Sequence, residues 1–244
     1  MTTETPALLP TFDDADVQRV LCVVAHPDDI EYGPSTAVAT WTARGVEVRY
    51  LLMTRGEAGI STMHPDETGA LRTREQIAAG VAVGVDHIDF LGHPDGMLTY
   101  SLDLRRDVAR AVRTFRPDIV VTQTWAEEPA WGLNQGDHRA TGLACADGVR
   151  DAGNRWVFTD LIDEGLEPWS PQWLLVHGDP NPTHGVVVDE ESFERGVASL
   201  EAHAEYFAVL TDHPTPRELV TTFTTTAGAA MGVPHAMLFR VHAL

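Results

Sequence analysis

Positive charge is scarce in this sequence. Seventeen basic residues face 36 acidic ones, a formal net charge of −19. A chain so depleted lacks the basic surface that phosphate backbones require, which argues against a nucleic-acid partner and favours a small neutral or polar ligand. Cysteine is scarcer still. The 2 cysteines, Cys22 and Cys145, are too few to staple a chain of this length, and each lies in an apolar run that reads as buried packing. No apolar stretch approaches the roughly 20 residues of a membrane span. The opening MTTETPALLPTFDDADVQ has neither the basic flank nor the apolar core of a signal peptide. The expectation is a cytoplasmic protein. Internal repeats, low-complexity tracts and Gly/Ser-rich linkers are also missing, so residues 1–244 are read as one domain, with 1–16 as a flexible N-terminal segment.

What is present alternates. Short β-branched runs at 17–25, 46–54, 87–92, 117–123 and 172–178 read as strands. Helical patterns fall between them, at 35–45 with Gly45 as a stop, 69–84 with Leu71, Ile77 and Val81 on one face, 101–115 behind a Ser101 cap, and 137–153. A long helix over 190–210 and a closing strand or extended tail over 235–244 complete the pattern. Such alternation predicts an α/β, Rossmann-like, mostly parallel sheet with helices on both faces. Ligands of such sheets bind beyond the carboxyl ends of the strands. The loops expected there are polar: TRGEAGISTMHPDET, LGHPDGMLTY, TQTWAEEPAWGLNQGDH and HGDPNPTH.

The first of these strand ends runs directly into His26-Pro27-Asp28-Asp29. An imidazole beside carboxylates suits a borderline cation such as zinc, which in catalytic sites takes three protein ligands and leaves one position for water. One carboxylate could then bind the metal while its neighbour faces that water. The third ligand would come from a distant segment, and His138 in GDHRATG lies at the start of a helix on the same rim. The spacing alone equally permits a turn whose carboxylates cap a helix.

The motifs in order resemble the LmbE-like, or PIG-L, family of zinc-dependent N-deacetylases. The resemblance rests on Ala25-His26-Pro27-Asp28-Asp29-Ile30-Glu31, on Thr54-Arg55-Gly56-Glu57-Ala58-Gly59, and on the segments LRTREQ, FLGHPDG and DHRATG. It spans roughly Val20 to Gly142 and continues weakly through SLEAHAEY and LFRV. It implies Zn2+ (other divalent metals being possible) on His26, Asp29 and His138, with Asp28 as general base. Arg72 and Asp95 match positions that hold a sugar-like substrate. Asp137 would support the neighbouring ligand or touch substrate, and Glu31 would orient the first loop or act as a cap.

One departure stands out. The family writes its second motif His-x-Asp-His, whereas this chain reads Gln135-Gly136-Asp137-His138. Gln135 donates a hydrogen bond but transfers no proton at neutral pH. Either Asp28 acts as both base and acid, or another histidine enters; His184 and His235, in late loops, are the first candidates, with His64 and His93 behind them. Some relatives complete their sites across subunits, so a homo-oligomer with His235 reaching a neighbour is a further expectation. Trp125 and Trp131 flank the fourth loop and could stack on a sugar or serve packing. The resemblance implies removal of an N-acetyl or related acyl group from an amino-sugar-like small molecule. Its alternatives are an amidase acting on a larger conjugate such as a thiol conjugate, and a non-catalytic member that binds metal or ligand.

Overall fold

The segment RVLCVV forms β1 (Arg19–Val24), and its side chains alternate between two cores. Val20, Cys22 and Val24 pack with Trp41 on one face; Leu21 and Val23 pack with Val108 and Cys145 on the other. A strand apolar on both faces can only sit inside a covered sheet. Each fully buried Val, Leu or Ile there contributes about 1.5–3 kcal/mol.

In the computed structural model, which describes residues 7–244, β1 is followed by α1 (Ser35–Ala43), β2 (Glu47–Leu52), α2 (Pro65–Ala82), β3 (His87–Phe90), α3 (Leu102–Phe115) and β4 (Ile119–Gln123). Then come α4 (Gly136–Ala152), α5 (Thr159–Asp163), β5 (Trp173–His177), β6 (His184–Val187), α6 (Glu190–Glu201), α7 (Ala204–Ala208), α8 (Pro216–Met231) and β7 (Ala236–Ala243). The strand order is β3-β2-β1-β4-β5-β7-β6. The first five strands are mutually parallel, and β7 runs antiparallel between β5 and β6. The architecture is α/β, as expected. Strand order reverses between β1 and β4, and the loops leaving those two strands part there to open a crevice.

The structure corrects the sequence reading in three places. Residues 7–16 are tied down rather than flexible: the amides of Leu9 and Phe12 donate to the carbonyls of Ala230 and Gly185, and Asp14 bonds Trp41 and Arg44. Met1 to Pro6, the rest of that expectation, lie outside the described residues. The single helix expected over 190–210 is two, α6 and α7, parted at His203, whose ring is fully buried. β6, α5 and α8 were unforeseen. α8 reads TTFTTTAGAAM after its first turn, a β-branched run of low helix propensity. Its start is fixed by a capping box between Thr215 and Glu218 with Pro216 in the first turn. Thr222, Thr224 and Thr225 return their hydroxyls to carbonyls one turn back.

Candidate active site

The loop after β1 is held from within. The amides of Ala25 and His26 donate to Asp29 Oδ2 at 3.0 and 2.8 Å. This leaves Oδ1 toward His138, 3.0 Å from its Nε2. The other ring nitrogen of His138 lies 3.2 Å from Asn134 Oδ1. Asn134 is itself fixed, donating to the carbonyls of Thr124 and Ala126. The Nδ1–H tautomer follows from that bond and leaves the Nε2 lone pair for a ligand.

His26 is hemmed in by acid. Its Nε2 lies 3.0 Å from Asp95 Oδ1 and 3.2 Å from Asp137 Oδ2. Burial alone would lower its pKa, but Asp29, Asp137 and Asp95 outweigh that and hold it up at about 12. Asp29 is buried too, which would raise its pKa, yet the His138 and His26 charges keep it well below the usual carboxylate range. Two donor sets therefore share His26: His26–Asp29–His138 and His26–Asp95–Asp137, each with its ligand atoms within 4.8 Å of one another. The second is already committed. Asp137 accepts from the amides of Gly96 and Leu98, and Asp95 from Ala58. The first has two imidazoles and one carboxylate, a set that suits zinc and leaves a position for water.

Asp28 stands beside this cluster in a backbone conformation that L residues avoid, φ 89°. Its amide donates to Gln76 Oε1 at 2.9 Å, and its Oδ2 meets Arg72 Nη2 at 3.1 Å. Burial pushes its carboxyl up to about 6, with Arg72 pulling the other way. Arg72 also donates to the carbonyls of Pro27 and Gly56, and its guanidinium lies 4.2 Å over the Tyr206 ring. The TRGEAG loop makes room for it: at Gly56, φ 65°, a Cβ would collide with the guanidinium. Beneath Asp28, Glu31 accepts from Gln76 and Ser199 and lies 3.4 Å from His203 Nε2. Glu31 thus props the first loop from α2 and α6 and caps no helix.

His26, Asp28, Asp29, Arg72, Asp95 and His138 line a cavity of about 880 Å³ shared with Gln135, Trp131 and His177. Gln135 occupies the N-cap position of α4 without bonding it. The other histidine candidates are not brought in. His184 bonds Thr183 beside the Phe12 ring, and His235 bonds Thr224 and stacks on Phe193. Both are drawn off because β6 and β7 pair with each other and turn these side chains to neighbouring packing. His64 caps α2 at the surface, and His93 pairs with Asp107. Of the two tryptophans, Trp131 lines the cavity, whereas Trp125 lies against His242.

Sequence reasoning missed Asn134, Gln76, His203 and above all His177. His177 is the last residue of β5 and the register partner of Gln123 at the end of β4. Its Nε2 and both amide atoms of the Gln123 side chain are buried without a hydrogen-bond partner among the described residues. Burial pushes the His177 imidazole down to about 4, so it is neutral at neutral pH. The available signal was positional: the final residue of a buried parallel strand faces the binding rim.

A mostly parallel sheet with a histidine–carboxylate cluster at its switch point suits a metal-dependent enzyme. The comparisons narrow this, and the chain belongs to the PIG-L family, GlcNAc-PI de-N-acetylase, whose model matches residues 21–149. It is 31% identical over 200 residues to a diacetylchitobiose deacetylase of Thermococcus kodakarensis, covering 79% of this chain and 71% of that one. It is 29% identical over 236 residues to a 1D-myo-inositol 2-acetamido-2-deoxy-alpha-D-glucopyranoside deacetylase of a Mycobacterium species, covering 79% and 75%. Among solved structures, the N,N'-diacetylchitobiose deacetylase of Pyrococcus horikoshii superposes with a TM-score of 0.84 at 25% identity, covering 94% of this chain and 85% of that one. No described helix is long and apolar enough to cross a membrane.

Proposed function

We propose that the protein is a zinc-dependent N-deacetylase acting on an acetamido sugar. The observation that carries this reading is the cluster itself. His26, Asp29 and His138 converge next to Asp28, a carboxylate of raised pKa held outside that set in a strained backbone conformation. Relatives that act on acetylated amino sugars support the substrate class. The donors fit the metal, because carboxylates outnumber the nearby cationic side chains and each imidazole is oriented from behind. Zinc bound there would supply a Lewis acid and lower the pKa of water to about 7.

The chain's own residues supply the rest. Asp28 takes the proton of the attacking water, and Arg72 fixes the orientation of its carboxylate. The same carboxyl returns the proton to the departing amine nitrogen, so the reaction needs no acid from Gln135. Gln135 and the neutral His177 line the cavity and offer hydrogen bonds to the carbonyl oxygen as it gains negative charge.

The test pairs metal analysis with acetate release from a panel of N-acetylated amino sugars, on the unmodified protein and Asp28→Asn. Zinc in both, with turnover only in the first, is the expected result. Equal loss of zinc in Asp28→Asn would remove that residue from the base role, and zinc without turnover of any acetamide would end the deacetylase reading.

A further inference from the structure

The cavity is chemically two-sided. Most of its ionisable groups, including His26, Asp28, Arg72 and His138, come from the first part of the chain, while Asp179, after β5, pairs with Arg240 of β7. The opposite wall comes from α8 and β7: Thr222, Phe223, Thr226, Ala227, Met237 and Leu238. The four α8 residues are spaced one and four apart, so they form a single helical face. No side chain on that wall carries charge. Phe223 remains 38% exposed and Trp131, which also lines the cavity, 58% exposed, although both are large and apolar.

Size and charge point the same way. Cavities that enclose drug-sized ligands run from about 300 to 1,000 Å³. At about 880 Å³, this one has room well beyond a single acetamido sugar. The one lysine or arginine side chain among the lining residues is Arg72, already engaged by Asp28 and two backbone carbonyls. Asp95 and Asp179 also face the cavity. An anionic substituent, phosphate or carboxylate, would find carboxylates and, among the described residues that line the cavity, no unengaged lysine or arginine.

We propose that the α8–β7 wall is a subsite for an uncharged apolar aglycone, so that the substrate is an N-acetylated amino sugar linked to an alkyl or aryl group. This rests on the deacetylase reading and narrows it. The acetamide reaches the ionisable end while the aglycone lies along Phe223, Ala227 and Leu238. Apolar contact lowers KM and leaves the chemical step untouched.

The experiment uses the zinc-loaded full chain. Acetate release is measured from methyl and hexyl N-acetylglucosaminide, diacetylchitobiose and a malate-linked N-acetylglucosaminide, and binding of the first two by calorimetry. The hexyl compound should exceed the methyl one and the disaccharide by at least about tenfold in kcat/KM, through KM. The malate conjugate should be the poorest. Thr226→Asp, an exposed change, should collapse the hexyl-to-methyl ratio toward one, and Phe223→Ala should shrink it. Turnover of the methyl compound or disaccharide without a hexyl advantage would overturn the subsite and spare the deacetylase. Absence of any turnover, with hexyl still binding about tenfold more tightly, would overturn the deacetylase and spare an apolar site. An oligomer in light scattering that Thr226→Asp dissociates would make this wall a subunit interface and overturn the proposal.

Discussion

The two sides of the cavity come from two parts of the chain that do different work. Residues up to α4 contribute the ionisable cluster, on loops whose backbone amides are spent fixing carboxylates: Asp29 from Ala25 and His26, Asp137 from Gly96 and Leu98. Residues after β5 contribute an apolar wall and, through α6 and α7, props beneath the first loop: Ser199 and His203 on Glu31, and the amide of Glu205 on Glu75. Chemistry demands particular atoms at particular points, whereas a wall demands only volume and polarity. Substitutions should therefore act on rate in the first part and on substrate choice in the second.

The sharpest way to break that contrast is Asp28→Asn. Loss of a positioned base should lower kcat by about 10²–10⁴-fold, with zinc content and Tm near those of the unmodified protein. Stripping the metal with a chelator should abolish turnover and lower Tm, since a ligand bound only by the folded state stabilises it. Added zinc should restore both, as a thermal melt would read. Gln76→Leu reaches the cluster from below. It leaves the Asp28 amide and the Glu31 carboxylate short of partners, so denaturant unfolding should show a loss of about 2–3 kcal/mol, with a lowered kcat. Gly33→Ala is a smaller push. A Cβ there would lie 2.6 Å from His177 Cε1, so overpacking of about 1–3 kcal/mol and a reduced kcat are expected. An unchanged kcat would remove His177 from the reaction. Gln135→His should preserve or modestly raise acetate release. His184→Ala and His235→Ala should leave kcat/KM within about twofold, because neither side chain lines the cavity.

The same contrast explains what was legible in the sequence. The strand-helix rhythm through β4 was readable because β1 and β4 are apolar on both faces and bounded by polar loops. His26, Asp28, Asp29 and His138 stood out through motifs that resemble those of the family, since their spacing alone also allowed a capping turn. His177 was not, because a histidine closing QWLLVHG has no local partner to mark it; its meaning lies in the register with Gln123. The break at His203 was hidden because EESFERGVASLEAHAEYFAVL reads as a continuous amphipathic run, and only burial of the ring next to Glu31 parts it. α8 was hidden for the opposite reason. Threonine-rich sequence opposes a helix locally, and here the capping box and packing overrule it.

Strand β7 follows every other element in chain order, yet it lies inside the sheet, between β5 and β6. On a ribosome adding about 5–20 residues per second, that lane stays empty until synthesis passes Ala243. Until then β5 presents an unpaired edge, β6 is held only by its bridge from Gly185 to Thr11, and α8 lacks the strand β7 that it packs against. Vectorial synthesis thus completes the loops that carry the His26 cluster first and closes the sheet last. The nascent protein is exposed to misassembly on the side that later becomes the apolar wall.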